Sequence, residues 1–245
     1  MYVYMHAQKR PQGDIEQPKQ KSISDFFGKK AIAKKSDDDQ LKQVSDSFYE
    51  KDVVTLAQDL LGKLIVHKTK DGIIACRIVE TEAYKAPEDK ACHAYKNKKT
   101  EKTNSFWLPG GHVYMFTIYN NTWCFNVVAA TAEEPEAVLV RAVEPIKGLH
   151  LIHRNRSSLK SNKTEDLVNG PGKLTLAMGI AKERNGFDMR GEGKDLFIAE
   201  SPENLKKFEI VASKRINIDY AEEWVDKYWR FTIKDNKFVS VSLQF

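Results

Sequence analysis

Two glutamates one residue apart, Glu80 and Glu82, are the side chains whose type and spacing point most directly to chemistry. They close the run Arg77-Ile78-Val79-Glu80-Thr81-Glu82-Ala83-Tyr84, and His93 follows it. Side chains alternate along a strand, so a period of two sets Ile74, Cys76, Ile78, Glu80 and Glu82 on one face. Arg77, Val79 and Thr81 fall on the other. An unpaired ionised carboxylate is costly to take out of water. Two readings therefore stand. The glutamates sit at a strand end in water or pair with Arg77 and Arg141, or one of them is a general base held where water and a substrate meet. Arg141 lies in a second β-prone run, Ala137 to Glu144, on a face shared with Leu139 and Val143. A guanidinium there needs a carboxylate or phosphate partner.

Other chemistries find less support. Cys76, Cys92 and Cys124 lack CxxC spacing, which suggests neither a disulfide framework nor a zinc site. His150 and His153 lack the i, i+4 spacing and the glutamate of a zinc helix, so they read as surface or core filler. Asn169-Gly170-Pro171-Gly172-Lys173-Leu174 is a turn into a helix, suited to a phosphate or simply to an ordinary loop. The net charge of +5 permits a polyanionic partner without requiring one.

The elements that must position these residues are short. Asp52 is placed to cap a helix with Val53, Leu56, Ala57, Leu60 and Leu61 at helical spacing, ended by Gly62. Lys63 to Lys68 and Ile73 to Glu82 predict a hairpin across Asp71-Gly72. Pro87 to Thr103 reads as a lysine-rich surface loop. Val113 to Tyr119 and Trp123 to Val128 predict a second hairpin around Asn120-Asn121-Thr122, with Tyr119 at its tip and Tyr114, Phe116 and Ile118 on one face. A helix is expected over Pro145 to Arg156 and another from Gly170 to Ile180. Strands are expected at Leu196 to Ala199, Phe208 to Ala212, Phe231 to Ile233 and Phe238 to Val241. Hairpins and helices without βαβ alternation indicate an α+β fold, a single mixed domain with antiparallel sheet over residues 45–245.

Residues 1–44 are polar and charged and are expected to form a disordered tail. Within it, Gln20, Ile23, Phe26 and Phe27 follow the pattern Gln-x-x-aliphatic-x-x-aromatic-aromatic. This resembles the peptide box by which replication and repair proteins bind the eukaryotic sliding clamp, PCNA. Together with the basic pairs Lys29-Lys30 and Lys34-Lys35, the resemblance implies a nuclear location.

In order along the chain, residues 77–84, Pro87-Glu88-Asp89, His93, the Tyr114 to Asn126 hairpin, Leu139 to Pro145 and Gly170 to Leu174 resemble the alkyladenine (3-methyladenine) DNA glycosylases. The resemblance runs from about Phe48 to Val241. It implies a monomeric, metal-free hydrolase that binds double-stranded DNA, flips out a damaged purine and cleaves its bond to deoxyribose. Glu82 then matches the general base and Arg141 the residue that positions the water and the glutamate. Tyr84, His93 and Phe116 match pocket walls that stack on the base. Asn126 matches the residue that excludes normal guanine, and Tyr119 the wedge that fills the gap in the duplex. Phe116 departs from a tyrosine found in relatives, Asn120 from a glycine, and Lys102 and Thr103 stand in a region rich in arginine elsewhere. The rival implied by the same fold is a non-catalytic damage-binding or clamp-associated protein.

Overall fold

The computed structural model describes residues 41–118, 122–201 and 207–241. Asp52 caps the first helix, α1 (Val53–Asp59), its carboxylate accepting from the Val54 and Thr55 amides. Gly62, at φ +83°, turns the chain out of α1 into β1 (Leu64–Thr69), which pairs antiparallel with β2 (Gly72–Lys85). The second hairpin joins β3 (Val113–Ile118) to β4 (Thr122–Val128), with its tip at 119–121 outside the described residues. Next come β5 (Glu136–Lys147) and three helices, α2 (Leu149–Asn155), α3 (Glu165–Val168) and α4 (Pro171–Met178). Short strands complete the fold: β6 (Leu196–Ala199), β7 (Ile210–Ser213) and β8 (Arg230–Ile233). The sheet runs β3-β4-β5-β2-β1-β6, with β8 joined to β2 and β7. This is the α+β architecture that the sequence predicts.

Three boundaries differ from expectation. The helix expected from Pro145 begins only at Leu149, because β5 continues through Pro145, which pairs with Cys76 at an irregularity of the ladder. A proline has no amide to give a ladder, and such a bulge tolerates it. Gly148 then makes the turn at φ +81°, where a Cβ would lie 2.4 Å from the Ile73 carbonyl oxygen. Residues 238–241 form no strand but turn back toward β2. The folded part also starts ahead of residue 45. Gln43 bridges Ala199 and donates to the Met189 carbonyl at 2.7 Å, and Val44 is buried.

The long β2–β5 ribbon positions the site through two slips of register in opposite senses. Ile78 pairs with Val143 and Glu80 with Ala142, so Val79 is an extra residue in β2. Thr81 then pairs with Val140, so Arg141 is an extra residue in β5. Each bulge reverses the alternation of its strand. Ile74, Cys76 and Ile78 lie in the main core, and after the slip so do Val79 and Ala83, while Thr81 donates to the Ala57 carbonyl of α1. Glu80, Glu82 and Tyr84 are thereby turned to the opposite face. The expected continuous face from Ile74 to Glu82 is broken at Val79, and that of Arg141 with Val143 at Arg141 itself. The core lies between the sheet and the helices, filled by Val53, Leu56, Ile152, Leu167, Leu174 and their neighbours.

Candidate active site

The two glutamates end in one buried ionic cluster. Glu82 Oε2 accepts from the Tyr84 hydroxyl at 2.8 Å and from Arg141 Nη1 at 3.2 Å, and Oε1 accepts from the Ile216 amide at 2.7 Å. Glu80 Oε1 accepts from Arg141 Nε at 3.0 Å, Arg230 Nε at 2.7 Å and Ser240 Oγ at 2.9 Å. Glu80 Oε2 accepts from the Ser240 amide at 2.6 Å. Both glutamates have no exposure, and Arg141 and Arg230 have 8% and 2%. Two carboxylates against two guanidinium groups make the cluster neutral, which is what allows it to be dry. Burial works against the charged form of Arg141, but Glu82 and Glu80 outweigh it and hold its pKa above the usual arginine value.

The count of donors separates the two acids. A carboxylate offers about four lone-pair sites. Glu80 has four donors on it, three on Oε1 and the Ser240 amide on Oε2. Glu82 has three, with the Ile216 amide alone on Oε1. Among the described residues Glu82 is therefore the less fully bonded of the two acids.

In front of Glu82 lies a cavity of about 570 Å³ lined by Tyr84, His93, Phe116, Asn126, Leu139 and Arg141 together with Ile216 to Ile218 and Tyr220. Glu82 itself is behind this wall, while its three donors, Tyr84, Arg141 and Ile216, belong to it. The walls are aromatic and braced. The His93 and Phe116 rings are 4.0 Å apart between centroids. His93 Nδ1 and the Tyr114 hydroxyl share a hydrogen bond of 2.9 Å, and Tyr114 meets Phe106 edge to face. Burial pushes the His93 imidazole below its ordinary pKa, so the ring is neutral at pH 7. It also raises the Cys124 thiol, another lining group, to about 12. Asn126 pairs with Tyr114 across the hairpin and donates Nδ2 to the Tyr114 carbonyl at 2.9 Å.

The sequence matches the methylpurine-DNA glycosylase family over residues 47–237. The chain belongs to that family. Curated relatives agree. A protein of Natranaerobius thermophilus provisionally named a 3-methyladenine DNA glycosylase is 48% identical over 195 residues, covering 80% of this chain and 97% of its own. One of Clostridium novyi with the same provisional name is 45% identical, covering 82% of this chain and 99% of its own. Membership places the chain among the DNA glycosylases, DNA-binding hydrolases of repair.

Against the family's expected site, the structure brings Arg141, Tyr84, His93, Phe116 and Asn126 to one cavity and sets Glu82 behind its wall, bonded to Tyr84 and Arg141. Tyr119 lies outside the described residues, as do Gln20, Ile23, Phe26 and Phe27. A nuclear location is overturned: the similar relatives are bacterial, and bacteria have no nucleus. The same finding leaves the eukaryotic clamp as a partner without support. Arg77 does not serve the glutamate pair either, since it pairs with Glu144. Lys173 donates to Asn169 at 2.7 Å, while Pro171 reaches the cavity. His150 and His153 are exposed on α2. Sequence reasoning missed Arg230, Ser240, Ile216 and the buried pair Asp89–Arg215. The one available signal was an arginine at the start of the β-prone run of β8, which demands a partner.

Proposed function

We propose that the chain is a monofunctional glycosylase that flips alkylated or deaminated purines out of duplex DNA and hydrolyses their bond to deoxyribose. The substrate class is 3-methyladenine, 7-methylguanine, hypoxanthine and ethenoadenine. The observation that carries this reading is Glu82, the less fully bonded acid, held by three donors that all line an aromatic cavity of about 570 Å³. That volume falls in the range of about 300–1,000 Å³ usual for small-molecule sites.

In this mechanism the flipped base stacks among Tyr84, His93 and Phe116, whose electron-rich faces favour cationic alkylpurines. A water held on Glu82 Oε1 loses its proton to the carboxylate as it attacks C1′. The negative charge of Glu82 also favours the oxocarbenium character that the sugar gains, as in glycosidases. Arg141 holds Oε2 so that Oε1 faces the water, and the Asn126 side-chain amide crowds the 2-amino group of normal guanine. Tyr119 is the wedge that fills the vacated stack. Among the described residues no lysine lines the cavity, which fits hydrolysis rather than a Schiff base.

The test is a duplex with one 3-methyladenine or one hypoxanthine, treated with alkali after incubation. Strand breaks are expected only after alkali. Glu82→Gln should lower the rate by roughly 10²- to 10⁴-fold, the usual worth of a general base, with binding to damaged duplex retained. Breaks without alkali would overturn the monofunctional reading. Normal rates with Glu82→Gln would overturn the role of Glu82.

A further inference from the structure

We infer that Glu80, clamped by Arg230 and Ser240, is the positioning residue that fixes Arg141 against Glu82. The inference rests on the proposed hydrolysis and adds two elements to its machinery: β8 and the segment that follows it. Arg141 is the extra residue of the β5 bulge, so no cross-strand neighbour sets its side chain. Among the described residues its guanidinium is held from two sides, Nη1 on Glu82 and Nε on Glu80. Glu80 is in turn immobile. Arg230 is anchored by Nη1 to Ser213 Oγ at 3.3 Å and by Nη2 to the Val241 carbonyl at 2.5 Å. Ser240 gives Glu80 both its amide and its hydroxyl. Among the described donors on Glu80 only Arg141 lines the cavity, so Glu80 acts on the site through Arg141.

Ser240 and Val241 lie beyond residue 237, where the family match ends. Removing Glu80 would free the Arg141 plane to rotate, and misplacement of about 1 Å can cost on the order of 10²-fold in rate.

Charge gives the test its sign. The titratable and charged groups around Glu82 are Glu80 and Tyr84 from β2, Arg141 from β5, Cys124 from β4 and Arg230 from β8. Asp89, Arg215 and Tyr220 complete the set. Glu80→Gln deletes a negative charge and favours ionised Glu82, so the acidic limb of the pH–rate profile should move to lower pH. Arg230→Gln deletes a positive charge and should move that limb to higher pH. Arg230→Lys restores the charge and should return the limb to its original place.

The experiment is single-turnover excision of 3-methyladenine from duplex DNA between pH 5 and 9 by the full chain and these variants. Expected are roughly 10- to 100-fold lower plateau rates for Glu80→Gln and Arg230→Gln, with limbs displaced in opposite directions and affinity for damaged duplex within about two-fold. Ser240→Ala removes one donor without changing charge or the strand. It should lower the rate with the limb unmoved, and it tests the clamp if the charged variants do not fold. Excision by the unsubstituted chain with an unchanged rate in Ser240→Ala, or limbs that shift together in the charge variants, would overturn the positioning role alone. No excision by the unsubstituted chain would overturn the glycosylase reading beneath it.

Discussion

Tyr84 joins the two halves of the site: its ring lines the cavity and its hydroxyl donates to Glu82 Oε2 at 2.8 Å. Burial and the neighbouring Glu82 push the phenol well above its ordinary pKa, so it stays a donor throughout the working range. Tyr84→Phe keeps the ring and removes one donor from the carboxylate. Losing a hydrogen bond to the charged form raises the pKa of an acid, so the base should protonate sooner on acidification. The acidic limb of the pH–rate profile is expected to move to higher pH, with affinity for damaged duplex within about two-fold, because the stacking face survives. An unmoved limb would mean that Tyr84 does not touch the base in its working state. At this scale much was legible before folding. Glutamates, an arginine and aromatic residues announce themselves by type, and the family pattern ranked Glu82 over Glu80. What no residue type reveals is the number of donors on each carboxylate. Arg230, Ser240 and Ile216 come from distant parts of the chain, and nothing local marks them as partners of these acids.

Among the elements, strand alternation was readable up to Ile78 and then reversed. A bulge is a property of two paired strands, and the extra residues Val79 and Arg141 are visible only once β2 and β5 are aligned. The same holds for the pair that ties two cavity walls together. Arg215 donates to Asp89 at 2.5 and 2.8 Å and to the Ala83 carbonyl at 2.9 Å, and both charged side chains have no exposure. Burial opposes the charge of Arg215, and Asp89 more than restores it. This contact holds the segment after β7 to the loop after β2, which sets the Ile216 amide on Glu82. Breaking a buried pair from one side leaves an uncompensated charge and costs about 3–5 kcal/mol. Arg215→Met is expected to destabilise by that amount in urea unfolding. Adding Asp89→Asn should recover part of the loss, because the stranded charge goes with it. A double variant as unstable as the sum of the singles would show that the two residues act independently.

On the scale of the whole molecule, the question is where the catalytic fold begins. The similar bacterial relatives align over 95–100% of their own lengths while covering 79–82% of this chain. The family match opens at residue 47. Composition alone set the fold to begin at residue 45, since Leu41 to Val44 carry no pattern that distinguishes them from the polar run before them. Their value is tertiary. Leu41 packs on the cluster of Leu64, Val66 and Phe197, Gln43 pairs with Ala199, Val44 enters the main core, and Asp46 accepts from the Gly191 amide at 3.1 Å. Two truncations separate the possibilities. A chain that starts at residue 41 should melt and excise like the full one. A chain that starts at residue 47 loses a buried valine and a partly buried leucine, and burying a single such side chain is worth roughly 1.5–3 kcal/mol. Its melting temperature should fall by several degrees relative to the chain that starts at residue 41, with the rate per folded molecule unchanged, since residues 41–46 do not line the cavity. Equal stability of the two truncations would place the start of the fold where composition put it, and slower excision by the first would give residues 1–40 a part in the reaction.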